Sequence, residues 1–136
     1  MKMFLGEYNP SITEGSRVAL PKRMREQIES NNLVLAKGFE KCIFVYAKED
    51  WLVEANRQVE DIGDKGKTRK MSRYLYTSAT EVVMDSQGRF VVSTALKSYA
   101  GIKSKTAVLG VGNRIEIWDD KTWCEYKKTA FDEPLQ

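Results

Sequence analysis

Arg17 and Arg89 each follow a run of turn-forming residues and open a short apolar strand, which makes them the side chains best placed to do chemistry. Arg89 ends Asp85-Ser86-Gln87-Gly88-Arg89, a D-x-x-G-R turn in which Gly88 supplies the positive φ of a tight connection. Arg17 ends Thr13-Glu14-Gly15-Ser16-Arg17, where the turn glycine, Gly15, comes one place earlier. An arginine beside a tight turn presents a planar, five-donor fork that suits a phosphate or the edge of a guanine. The same side chain also suits a brace, paired with Asp85 or another carboxylate, and the residue types leave both roles open. Asp85 fits a turn stabiliser whose side chain accepts backbone N–H bonds. Arg17, Lys22, Arg23 and Arg25 lie in a stretch without acids, a candidate phosphate-contacting rim beside the first turn. Lys65, Lys67, Arg69, Lys70 and Arg73 form a second acid-free group, which suits a solvated loop and helix start better than a DNA contact.

Other chemistries fall away. The 136 residues include no histidine, which removes Ser-His-Asp and Cys-His catalysis and every His-containing metal site. Cys42 and Cys124 cannot supply the four thiolates of a structural zinc and form no C-x-x-C pair; two reduced thiols are the expectation. Asp119-Asp120 are adjacent acids at a strand end, suited to starting a helix. Gly110-Val111-Gly112 lacks the third glycine and following helix of a phosphate loop and fits a hairpin turn. No enzyme, cofactor or metal is expected. Lys and Arg total 22 against 19 Asp and Glu, a net charge of only +3, so the distribution of charge matters more than its sum. No apolar run approaches the ~20 residues of a membrane span, and Glu7 interrupts any signal-peptide core, so the expected compartment is the cytoplasm.

The elements that must position these residues follow from apolar spacing. Phe4–Tyr8, Val18–Leu20, Leu33–Ala36, Cys42–Tyr46, Glu81–Met84, Arg89–Val92, Thr106–Leu109 and Arg114–Trp118 read as strands. A short helix runs from Pro21 to about Ser30, burying Met24 and Ile28. From Lys48 the period lengthens, and Trp51, Leu52, Ala55, Val59 and Ile62 make one helical stripe; Met71, Tyr74, Leu75 and Ala79 resume it after a glycine-containing break. Ser93 suits the N-cap of a helix over Thr94–Ala100, with Gly101 as its stop. A last helix carries Trp123, Tyr126, Ala130 and Phe131 and should end at Glu133-Pro134. Trp51 and Trp123, both at helix starts, suit core packing or a subunit contact.

Sliding the chain by 72 positions superposes its halves without a gap: Arg17 on Arg89, Arg25 on Lys97, Gly38 on Gly110, Ile43 on Ile115 and Trp51 on Trp123. The order strand, turn, strand, short helix, hairpin, longer helix recurs with them. The expected organisation is one domain of two repeats, 4–63 and 76–131, joined by a basic segment over 64–75. Each unit is too small for a secure core, so the two should pack together as a pseudo-twofold β-barrel with peripheral helices, a mainly β, α+β fold.

D-x-x-G-R at Asp85–Arg89, with Phe4-x-Gly6, Pro21-x-x-x-Arg25, Ile115-Glu116-Ile117-Trp118 and Trp123, resembles the MraZ family, relatives of the AbrB/SpoVT-type regulators. The likeness runs from Phe4 to about Tyr126. It implies a double-split, swapped-hairpin-type barrel, ring-like homo-oligomers, and a nucleoid-associated transcriptional regulator bound to short repeats in double-stranded DNA upstream of the division and cell-wall gene cluster. On that likeness Arg17 and Arg89 contact DNA, Lys22, Arg23 and Arg25 flank them, and Asp85, Gly88 and Gly15 shape the turns. The first motif departs from the pattern, with Thr13 at the aspartate position and Ser16 at the glycine position. A different class remains in view: an antitoxin-like protein-interaction module with the same barrel and no specific DNA site.

Overall fold

Ile43–Ala47 is an apolar run with no alternation, as a strand covered on both faces requires. The computed structural model describes residues 2–60 and 62–132, and in it all five of these residues are buried. The elements are β1 (Glu7–Tyr8), β2 (Arg17–Ala19), α1 (Lys22–Arg25), β3 (Asn32–Lys37), β4 (Ile43–Ala47), α2 (Trp51–Glu60), α3 (Lys65–Ser78), β5 (Thr80–Val83), β6 (Arg89–Val91), α4 (Thr94–Ala100), β7 (Thr106–Gly110), β8 (Ile115–Asp119) and α5 (Asp120–Ala130). A single 3-10 turn, Lys48–Asp50, leads into α2.

Six strands form one sheet in the order β1-β7-β8-β4-β3-β5, and β2 pairs with β6 as a separate ribbon. Every pairing between these strands is antiparallel. Leu33, Leu35, Ile43, Val45, Ile115 and Ile117 point from the large sheet into a core that also takes Val18 and Phe90 from the ribbon and Met24 and Leu96 from α1 and α4. The alternate residues Phe44, Tyr46, Ala107, Leu109 and Trp118 meet a second cluster on the opposite face, with Val59, Leu75 and Trp123 from α2, α3 and α5. The ribbon and the long helices therefore lie on opposite faces of the six-stranded sheet.

The first strand of each half joins the hairpin of the other: β1 pairs with β7, and β5 with β3. The hydrogen bonds repeat at the 72-residue offset. Thr13 N–H donates to the Arg17 carbonyl as Asp85 N–H does to that of Arg89, both at 2.9 Å, and Val92 N–H reaches Ser16 as Leu20 N–H reaches Gly88. The offset slips on one strand, however. Leu33 faces Ala47 whereas Thr106 faces Asp119, so β3 and β7 correspond at 73 residues while β4 and β8 correspond at 72. The extra residue sits in the first hairpin's turn, where Glu40 and Lys41 both take positive φ. Gly38 and Gly110, matched by the gapless slide, thus hold different ladder positions. Among the described residues no ladder joins the six-stranded sheet to the ribbon; the two pack across a shared core.

Other boundaries move for local reasons. After α1 the chain tightens into i→i+3 bonds, Gln27 to Met24 and Ile28 to Arg25, so the helix expected to reach Ser30 stops at Arg25. The segment expected to connect the halves is helical from Lys65, because Asp64 caps it by accepting from the Lys67 N–H at 2.9 Å. Leu52 is 64% exposed; the buried stripe of α2 is Ala55 and Val59. Ser93 caps α4 through the Leu96 N–H, and Gly101 ends it at φ 64°. The break expected at Glu133-Pro134 lies outside the described residues.

Candidate nucleic-acid interface

The second turn is built around one carboxylate. Asp85 Oδ1 accepts from the Gln87 and Arg89 N–H groups at 2.9 and 3.0 Å, and Oδ2 accepts from Arg89 Nε at 2.8 Å. These donors, the Arg89 backbone N–H foremost, hold the Asp85 carboxyl below the usual carboxylate range. Gly88 closes the turn at φ 76°.

The first turn repeats the backbone scaffold without the carboxylate. Ser16 N–H donates to the Thr13 carbonyl at 3.0 Å, and the Thr13 hydroxyl donates to the Arg17 carbonyl at 3.3 Å. Gly15 and Ser16 both lie in the left-handed region, at φ 79° and 58°. The glycine shifted to position 15 therefore does not move the left-handed step; it adds one, and Ser16 carries the other. Arg17 has no acidic partner among the described residues, and its Nη1 lies over Gly15, 2.9 Å from where a Cβ would stand.

The ribbon places both arginines on one surface. Val18 and Phe90 point into the core, so Arg17, Ala19, Arg89 and Val91 share the outward face. Arg17 is directly opposite Val91, and Arg89 opposite Ala19. The Val92-to-Ser16 and Leu20-to-Gly88 bonds make the flanking positions the hydrogen-bonded pairs. Arg17–Val91 and Ala19–Arg89 are then the closer, non-bonded pairs, with Cβ atoms about 4.5–5.5 Å apart.

The expected basic rim divides. Arg25 leaves α1 and lies across Gly88. Lys97, from α4, donates from Nζ to Ser16 Oγ at 3.4 Å. Each half thus sends one cation onto the other half's turn, a contact that is not legible from the spacing of either half alone. Lys22 stays in solvent, its side chain 77% exposed and 3.9 Å from Glu26, and Arg23 is exposed beside the cleft lined by Leu5, Tyr8 and Gln27. The second basic group rides on α3, across the large sheet from the ribbon, where Lys67 and Lys70 border an apolar cavity with Phe39 and Met71.

The remaining candidates have structural places. Asp119 caps α5 by accepting from the Thr122 N–H at 3.4 Å. Gly110 lies in β7, with the hairpin turn at Gly112 and Asn113 beyond it, and the Phe4–Leu5 backbone passes where its Cβ would be. Trp123 stacks with Tyr126 and donates to Glu7 at 2.8 Å, and Trp51 packs edge-on to Tyr46. Cys42 is buried, which pushes its thiol up, and Cys124 is exposed; both are free. Among the described residues no three His, Cys, Asp or Glu side chains are grouped to hold a metal. No described helix is long and apolar enough to cross a membrane.

Fold and face together define a mixed α/β protein that turns an arginine-bearing two-stranded ribbon outward. The chain belongs to the MraZ family: the family model described as "MraZ protein, putative antitoxin-like" matches residues 3–69 and 75–136. It is similar to a protein of Syntrophomonas wolfei named transcriptional regulator MraZ, 35% identical over 128 residues that cover 94% of this chain and 89% of that one. Proteins of the same name from Arthrobacter sp. (38% identity, 96% and 94% coverage) and Lactobacillus helveticus (36%, 94% and 89%) are similar too. The name carried by these relatives is that of a regulator, not of an enzyme.

Proposed function

We propose that this protein is a sequence-specific, DNA-binding transcriptional regulator of the MraZ type, cytoplasmic and nucleoid-associated. The observation that carries the reading is the single outward face on which the β2–β6 ribbon sets Arg17 and Arg89. A two-stranded ribbon is narrow enough for the major groove, where an arginine can grip a guanine by two hydrogen bonds. Arg17, which no carboxylate among the described residues holds, is the primary reader; Arg89, tied to Asp85, is the more rigid of the two. Lys22 and Arg23 supply phosphate contacts that set position and salt sensitivity.

The same reading makes 4–63 and 76–131 two repeats of one barrel unit. The recurrence of hydrogen bonds at the 72-residue offset supports it, and the two segments matched by the family model divide the chain nearby. It also assigns a ring-like homo-oligomer acting on short repeats upstream of the division and cell-wall gene cluster. One ribbon touching a few phosphates binds weakly at physiological salt, and several in one assembly select DNA with spaced copies by effective concentration. Titration of the full chain with fragments from that upstream region carrying one, two or three repeats tests this, with affinity expected to rise at each step. Equal binding to all three and to unrelated DNA overturns it. Retention of a stoichiometric protein partner with no DNA bound establishes the antitoxin-like alternative instead.

A further inference from the structure

We infer that Val91 reads the 5-methyl group of a thymine beside the base that Arg17 contacts. This rests on the DNA-binding reading above and goes beyond it, because it assigns a preference to an uncharged residue.

Val91 is 45% exposed, and single exposed apolar side chains are ordinary on protein surfaces. What singles it out is its place in the ladder. It is the direct, non-bonded cross-strand partner of Arg17, so its Cβ stands about 4.5–5.5 Å from that of the ribbon arginine that no carboxylate among the described residues holds. Both side chains project from the face opposite Val18 and Phe90, which are fully buried. A groove that admits the Arg17 fork to a base edge therefore receives the Val91 methyls at an adjoining base pair. The major groove offers one apolar feature, the C5-methyl group of thymine. The corresponding pair at the other end of the ribbon is Arg89 with Ala19, whose smaller side chain is partly covered. The two ends of the ribbon thus differ in both of their residues: beside an exposed valine, an arginine with no acidic partner among the described residues, and beside an alanine, an arginine tied to Asp85.

The test uses the full chain and the tightest duplex it selects from a random-sequence library, with each thymine replaced singly by deoxyuridine, which removes the methyl group and leaves every hydrogen-bonding group in place. One replacement, next to a guanine, is expected to weaken wild-type binding by about three- to five-fold, the equivalent of one buried methyl. Val91→Ala is expected to weaken binding to the thymine duplex by at least as much, and to bind thymine and deoxyuridine duplexes alike. The inference is overturned if every deoxyuridine is tolerated, or if the thymine preference survives in Val91→Ala. Recovery of no preferred duplex removes the DNA-binding reading itself, and this inference with it.

Discussion

Arg25 lies directly across Gly88, with no room for a Cβ between them: one placed on Gly88 would stand 2.7 Å from Arg25 Cδ. The counterpart contact, Lys97 with Ser16, joins the halves in the opposite sense. The two turns that carry the ribbon arginines are therefore each covered by a cationic side chain from the other half of the chain.

Gly88→Ala should destabilise the protein by about 1–3 kcal/mol, because alanine is strained at φ 76° and displaces Arg25. Arg25→Ala relieves the second cost only. Chemical denaturation of the two single variants and the double should show a coupling of at least ~0.5 kcal/mol, and strict additivity would remove the steric part of the explanation.

Ser16 holds a left-handed conformation that costs a residue with a Cβ about 1–2 kcal/mol. Ser16→Gly removes that strain at the expense of chain entropy and the weak Lys97 bond, for a net gain of about 0.5–1 kcal/mol. Thermal unfolding checks the sign.

Arg17→Ala should weaken specific DNA binding by about 1–3 kcal/mol with an unchanged melting temperature. Arg89→Ala should lose less affinity and lower the melting temperature, because it breaks the tie to Asp85. Anisotropy titrations paired with thermal melts distinguish the two; the reverse order of losses would make the braced arginine the reader.

Lys22→Ala should weaken binding to all sequences alike and reduce the slope of log affinity against log salt by about 1. A sequence-dependent loss would place Lys22 at a base instead.

The Asp85 carboxyl is stabilised as the anion, so its folded-state pKa is lowered. Such a group stabilises the fold above its unfolded pKa, and the contribution is lost as pH falls through the folded value. Wild type should therefore lose stability below about pH 4, and Asp85→Asn should show a shallower loss over the same window. Melting curves from pH 6 down to 3 measure the difference.

Local chemistry made much of this legible in advance. Ser93 and Gly101 bracket α4 because a cap oxygen and a left-handed stop act within a few residues. The uninterrupted apolar run at Ile43–Ala47 announces a strand covered on both sides. Register is different, since it depends on turns: the extra residue at Glu40–Lys41 goes with a one-position slip of β3 against β4, which the composition of the hairpin does not betray. The unequal status of the arginines lay in Thr13 standing where the other turn has Asp85. Only the ladder shows that Arg17 faces Val91, because cross-strand partners 74 residues apart leave no periodic trace. The cations that lie against the turns escaped for the same reason, each reaching a turn in the other half.

The exchange of opening strands also sets a timetable for synthesis. Glu7 and Tyr8 find their partners in Leu109 and Val108, so the amino-terminal strand has nothing to pair with until most of the chain has left the ribosome. The first hairpin, β3 with β4, can form early, but it waits for β5 on one edge and β8 on the other. Completion of the sheet is thus a late, whole-chain event with a large loop-closure cost, which favours slow folding. A truncated product of either half is left with exposed strand edges and no means of closing them.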